Sequence, residues 1–301
     1  MTLSIFLEQV INGLVMGSGY AVFAISFGLM MSTLGIMNLA QGVYATAATF
    51  VAVGLASAWG FPMWLGCLVG IGAAAVIGLL ANEVAFEPLT RRRRGLWAPV
   101  IASIALWIAG LNLLQQLSGA EVFGFDLEGS LWQSSVEIGG VRSSVVSLIS
   151  IVLGVAVAMA VHGFLQRAPL GAAIRAVGWD PDAASLAGID DVRIRRFTVL
   201  LAAGLAGLAG VMIAVVSGST SFTLGEAVLF KGFVALILGG FADVRGIAIA
   251  AFGLGLSEAM MAQYVSHDYA EALVFGAVLM ILVVRPSGLF RDTRDLLAAR
   301  S

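Results

Sequence analysis

The sequence predicts an all-α polytopic membrane protein with about eight or nine transmembrane helices, at least one of them broken or re-entrant. Three observations carry this. The 301 residues are 60% hydrophobic and only 11% charged. Apolar runs of roughly 18 residues or more recur along the whole length, the size that crosses a bilayer as a helix. The 37 glycines suit helices that approach closely in lipid. The whole chain, 1–301, therefore reads as a single transmembrane domain. The one cysteine, Cys67, lies in an apolar run, so neither an intramolecular disulfide nor a metal cluster is expected. The first apolar run has no basic segment before it and no small-residue cleavage site after it, so it reads as a retained span.

Nine apolar segments follow one another, at about 5–30, 41–58, 62–81, 98–118, 143–164, 197–216, 222–241, 246–264 and 271–285. Arg91 to Arg94 follow the third, five arginines between 167 and 196 follow the fifth, Arg245 follows the seventh, and Arg285, Arg291, Arg294 and Arg300 follow the ninth. With nine spans these regions share one face and hold fourteen of the sixteen lysines and arginines. The positive-inside rule makes that face cytoplasmic, places the C-terminus with it, and puts the N-terminus outside. The opposite face carries the acidic loop 119–142, with Glu121, Asp126, Glu128 and Glu137 against Arg142. Apolar residues among those acids predict short surface helices there.

In the first span, Gly13, Gly17 and Gly19 predict close helix packing. Next comes GIMNLAQG, residues 35–42, where glycines bracket Asn38 and Gln41. This is a break between two helices, a re-entrant turn at membrane depth, or a tight surface turn. In the first two cases Asn38 and Gln41 line a translocation path, and Asn38→Leu slows transport with little effect on protein level. Trp59, Pro62 and Trp64 mark an interfacial turn. Arg91–Arg94 anchor the third exit, against membrane lipid in a functional reading. Asn112, Gln115 and Gln116 cap the end of the fourth span. Gly204, Gly207 and Gly210 share a stripe of the sixth segment and predict close approach of another helix.

The longest polar interruption is 167–196, RAPLGAAIRAVGWDPDAASLAGIDDVRIRR. Asp180 is placed to cap a helix, Pro181 suits its first turn and Asp182 favours its positive end. A short helix through Ala183, Ala184, Leu186 and Ala187 stops at Gly188. Its reading is a cytoplasmic element that fits a partner's groove; its bland alternative is a solvated loop between spans. In the docking reading Ala184→Trp blocks assembly or uncouples transport. Arg175 either pairs with an acid or serves as a positive-inside anchor.

The seventh segment carries Glu226 and Lys231, and the eighth carries Glu258; ionisable residues inside spans are functional candidates. At 1.5 Å per residue, Lys231 and Glu258 fall about 16 Å and 18 Å above the inner edge of a ~30 Å core. An ion pair between them is expected, although depth alone does not set their facing.

Several chemistries are missing. Lys231, the only lysine, follows Phe230 rather than the glycine of a phosphate loop, so no ATP site of that kind exists. His162 and His267 have no metal-hydrolase spacing. No GxSxG elbow occurs. No nucleic-acid patch and no cofactor motif is present.

The polar interruption resembles a coupling motif. Asp182-Ala183-Ala184-x3-Gly188 is similar to the EAA-x3-G element of bacterial ABC-importer permeases, with Asp in place of Glu. The whole chain resembles the first of the two permeases (LivH type) of the branched-chain amino acid importer. The matching residues run in order: Asn12, Gly13, Gly17, Ser18, Tyr20 and Ala21; Gly35, Asn38, Ala40 and Gly42; Glu83, Phe86, Pro88, Leu89 and Arg91; Gly171, Arg175, Ala176, Asp180, Ala183, Ala184, Gly188 and Ile189; Lys231, Phe233, Ala235, Leu238, Gly239 and Gly240; then Gly246, Gly255, Glu258 and Ala259. The resemblance implies an ABC-importer permease fold in the bacterial inner membrane. It implies a second homologous permease subunit, two cytoplasmic ATPase subunits and a periplasmic solute-binding protein as partners. It makes 167–196 the coupling loop, with Gly171, Arg175, Asp180, Asp182, Ala183, Ala184, Gly188 and Ile189 coupling to the ATPases. Asn38, Gln41, Lys231 and Glu258 are the expected pathway residues. Relatives of this kind carry amino acids, urea, short amides or other small solutes. The competing readings are an ion-coupled secondary transporter using Lys231, Glu226 and Glu258 as a relay, and a membrane enzyme, for which no cluster of acid, base and nucleophile is found.

Overall fold

The computed structural model describes residues 2–35, 37–91, 97–125, 134–138, 141–241, 243–265 and 269–284. Arg92–Arg94, Asp126, Glu128, His267 and the C-terminal arginines, all named above, lie outside these residues.

Each of the nine apolar segments falls on a helix. α1 (Thr2–Leu34), α2 (Gln41–Trp59) and α3 (Met63–Ala81) come first, with α3 continuing through a π-helical turn (Asn82–Phe86) into α4 (Glu87–Arg91). α5 (Trp97–Ser118) and α6 (Val145–Arg167) precede two short helices, α7 (Pro169–Trp179) and α8 (Pro181–Leu186). α9 (Asp191–Ser217), α10 (Leu224–Gly239), α11 (Val244–Tyr264) and α12 (Ala270–Val284) complete the order. Among the described residues seven helices are long and apolar enough to cross a membrane: α1, α2, α3 with its continuation, α5, α6, α9 and α11. α10 has only 16 residues and α12 has 15. This is a multi-pass membrane protein.

α1 is the axis. Its 33 residues extend about 50 Å, and Tyr20 to Met30 are buried throughout. The expected glycine packing is what lets α11 approach it. A Cβ at Gly13 would stand 2.7 Å from Leu256 Cα and one at Gly17 2.8 Å from Phe252 Cα. Gly255 answers from the other side, 2.5 Å from Gly13 O by the same construction. The α9 stripe works alike: a Cβ at Gly207 would meet Ala74 of α3 at 2.7 Å, and one at Gly210 would run into the backbone of Ala45 in α2. Close backbone approach at these glycines brings the helices together, and large side chains such as Phe23, Phe27 and Ile247 fill the core between them.

The loop 119–142 differs from the short helices expected. Its described parts form β1 (Phe123–Gly124) and the hairpin of β2 (Ser135–Ile138) with β3 (Val141–Ser144). Val136, Ile138 and Val141 are β-branched and alternate with polar residues, a period of two that suits strands. β1 pairs with β4 (Ser219–Thr220), which links α9 to α10. Beside it Phe125, 2% exposed, plugs into Ala52, Val53 and Ala214.

Candidate pathway and coupling sites

Three helices meet at Tyr20, Lys231 and Glu258. The Lys231 ammonium lies 2.5 Å from Glu258 Oε1 and donates to the Tyr20 hydroxyl at 3.1 Å. The Tyr20 hydroxyl in turn donates to Glu258 Oε2, also at 3.1 Å. The ammonium also stands 5.3 Å from the centre of the Tyr20 ring, within cation–π reach. Depth agrees: Tyr20 is about 21 Å along α1 from Leu34, and Glu258 about 21 Å along α11 from Val244. The ring is electrically neutral and uses both carboxylate oxygens. It is not sealed, since the Lys231 and Glu258 side chains retain 15% and 24% exposure. The ion pair expected from depth forms. Tyr20 is the member that sequence reasoning missed as a partner; its signal was the one tyrosine of the first span, set in its apolar middle.

The break between α1 and α2 is an Asx-type turn. Gly35 ends α1 with a left-handed φ of +63°, a conformation glycine takes without Cβ strain. Asn38 Oδ1 accepts from the Ala40 N–H at 3.1 Å, and Asn38 O accepts from the Gln41 N–H at 3.2 Å. Gln41 exchanges two bonds with Ser26: its Oε1 accepts from the Ser26 hydroxyl at 3.0 Å and its Nε2 donates to Ser26 O at 3.3 Å. Gln41 therefore stands level with Ser26, about 12 Å above the end of α1. The chain has climbed back into the bilayer, which makes the break re-entrant. Both amides are fully buried and spent inside the chain. Where solute contact was expected of Asn38 and Gln41, this geometry has them fastening α2 to α1. Asn38→Leu is accordingly expected to lower stability by about 1–3 kcal/mol, because the Ala40 N–H loses its acceptor in a buried place. Thermal unfolding in detergent measures this; an unchanged midpoint would return Asn38 to a purely pathway role.

The polar stretch 167–196 holds an elbow of two helices, not one helix in a loop. α7 was not expected. Its signals were Pro169 in the first turn and the buried spacing Gly171, Ile174, Val177. Gly171 is buried where a side chain would strike the backbone of Phe164 and Leu165, so it seats α7 on the end of α6. Asp180 turns the elbow: its Oδ1 accepts from the Asp182 and Ala183 N–H groups, each at 3.0 Å. Gly188, with φ of +83°, closes α8, and the Ile189 N–H returns to Ala184 O at 3.1 Å. Ala184, 4% exposed, points inward to Ile174, Val177 and Ile194. The expectation that Ala184 faces a partner's groove is thus reassigned: Ala184→Trp strikes this chain's own core. The outward face carries Asp182, Ala183 and Arg175, all exposed, and Leu186 at 91%. On the same side of the molecule Arg196 grips Glu83 through two bonds of 2.6 and 2.9 Å, tying α9 to the π-helical turn after α3.

Residues 9–284 match the model of the branched-chain amino acid transport system permease component. The chain belongs to this permease family. It is 29% identical to the high-affinity branched-chain amino acid transport system permease protein BraD of Pseudomonas aeruginosa, over 94% of this chain and 95% of that one. It is 28% identical to the corresponding protein LivH of Escherichia coli, with the same shares covered. The permease protein LivM of Salmonella typhimurium is 24% identical over 94% of this chain and 70% of its own length. Among solved structures none matches the permease.

Proposed function

We propose that this chain is the transmembrane permease subunit of an ATP-driven importer for branched-chain or related amino acids. It sits in the bacterial inner membrane with the elbow and the C-terminus cytoplasmic and the N-terminus periplasmic. It works with a second homologous permease, two cytoplasmic ATPase subunits and a periplasmic solute-binding protein. All 301 residues form one permease unit, and ATP is hydrolysed on the separate subunits. The family match along nearly the whole chain supports the class of function. The coupling role rests on one observation: the elbow is capped and packed on its inner face, yet leaves Leu186 91% exposed one turn beyond Asp182. A rigid element with a fully exposed apolar knob at its tip, and Trp179 63% exposed at the bend, is suited to seating in a groove and transmitting its movement.

Leu186→Asp tests this. Burying a leucine on a partner contributes about 1.5–3 kcal/mol, so the charged variant is expected to hold the ATPase subunits roughly ten- to hundredfold more weakly in pull-down. Its own thermal stability stays close to wild type, since the side chain touches little of this chain. Normal ATPase capture and normal uptake would remove the elbow from coupling. The substrate class is tested by uptake into proteoliposomes with a panel of amino acids, urea and short amides. Uptake that survives ATP depletion and collapses with the ion gradient would overturn the ATP-driven reading.

A further inference from the structure

The junction between α9 and α10 descends into the bilayer from the N-terminal face without being helical. Two contacts set its depth. The Thr220 hydroxyl is 2.7 Å from that of Thr49, and the Gly225 N–H donates to Thr46 Oγ1 at 2.9 Å. Thr49 and Thr46 lie about 15 Å and 20 Å along α2 from Trp59, the exposed tryptophan at the end of that helix. Non-helical backbone at such depth is tolerated only inside protein or along water. Thr220 and Gly225 are covered, but Thr223 is exposed and Ser221 and Glu226 are partly so. The Ser221 and Thr223 hydroxyls lie 3.0 Å apart.

The charges there do not balance. The Glu226 carboxylate has no ion-pair or hydrogen-bond partner among the described residues. Lys231, the nearest basic residue along α10, is already neutralised by Glu258. The Leu224 and Glu226 N–H groups donate to Ser221 O and Thr223 O, each at 3.1 Å, and that of Gly225 to Thr46. The side-chain oxygens that stay open there are a carboxylate and two hydroxyls, all able to accept from one cation with several N–H groups.

We infer that Ser221, Thr223 and Glu226 line a water-filled vestibule open to the N-terminal face, where Glu226 receives the ammonium group of the incoming solute. This rests on the reading of the permease as an amino acid importer. The hydroxyls would orient the ammonium and Glu226 would supply the countercharge. The neutral ring at Lys231, farther along α10, then neither repels the ammonium nor competes for it.

The test is thiol labelling in intact cells from which the outer membrane has been removed, in a Cys67→Ala background. Thr223→Cys is treated with two membrane-impermeant methanethiosulfonates, one cationic and one anionic, with rates normalised to a small free thiol. Positions three apart on a helix have Cβ atoms about 5–6 Å apart. A unit charge at that distance in a water-like dielectric favours the cationic reagent over the anionic one roughly tenfold. The expected result is labelling by both reagents with that preference, its loss in Thr223→Cys with Glu226→Gln, and its retention with Glu226→Asp. In a separate arm, Glu226→Gln lowers leucine uptake about tenfold at equal protein level in the membrane. No labelling of Thr223→Cys would mean that a partner subunit or lipid covers the site, and would overturn the vestibule. Labelling without charge preference, or unchanged leucine uptake in Glu226→Gln, would overturn the role of Glu226. If wild type takes up no amino acid at all, the importer reading fails, while the labelling result still decides the vestibule.

Discussion

Replacing Lys231 by Met is expected to destabilise the permease by about 3 kcal/mol, because it strands the Glu258 carboxylate near the middle of the bilayer with only the Tyr20 hydroxyl beside it. Glu258→Gln should cost a similar amount by stranding the ammonium. The double variant should recover much of the loss, since a neutral glutamine and a methionine leave no charge in the site. Thermal unfolding of the four proteins in detergent gives the coupling energy directly. A double variant as unstable as the sum of the two singles would mean that the pair contributes nothing as a pair. Uptake follows the same pattern if the ring serves mainly to hold α1, α10 and α11 in register. If instead the double variant is stable but does not transport, the charges themselves act on the solute.

The second large effect is steric. At Gly225 an added methyl group would land on the carbonyl of Gly42 and lie 2.5 Å from Thr46 Oγ1. Neither helix backbone can yield cheaply, because Gly42 would meet Gly225 in return. Gly225→Ala is therefore expected to cost about 3 kcal/mol, the upper part of the usual range for overpacking. Gly253, on the open side of α11, has no atom within 4 Å of its Cβ site. There the same substitution should be neutral or gain up to about 1 kcal/mol from helix propensity alone. Opposite signs in thermal unfolding are the expected outcome. Equal effects at the two sites would mean that α2 and α10 are not in backbone contact.

Much of this was legible in the sequence, and the residues show why. Apolar runs set the nine helices, because the bilayer demands length and composition and little else. The Asp180-Pro181 start and the Gly188 stop were readable because capping is local chemistry. The pairing of Lys231 with Glu258 could be reached from the 1.5 Å rise, since consecutive helices joined by a tight turn share a common depth origin. Facing was not readable. Ala184 looked like an outward docking residue until Ile174, Val177 and Ile194 were seen to surround it. Asn38 and Gln41 looked like path residues, but their amides are taken by Ala40, Tyr44 and Ser26. The depth at which α10 begins depends on Thr46, far away in sequence, and no local pattern encodes that. The strands at 123–124 and 219–220 were missed for the same reason: two residues pairing across the chain leave no periodicity to read.

The shortness of α10 has a consequence for biogenesis. Its 16 residues cover about 24 Å, less than the hydrocarbon core, and they include both Glu226 and Lys231. Such a segment partitions poorly from the translocon into lipid when it emerges by itself. Its charge partner arrives 27 residues later. At roughly 5–20 residues per second that is a wait of about 1–5 s. During that interval the Glu258 carboxylate is not yet made, so α10 is expected to wait at the translocon until α11 follows. Joint entry of the two as a hairpin is the expected result, since α10 packs on α11, α1 and α2 in the fold.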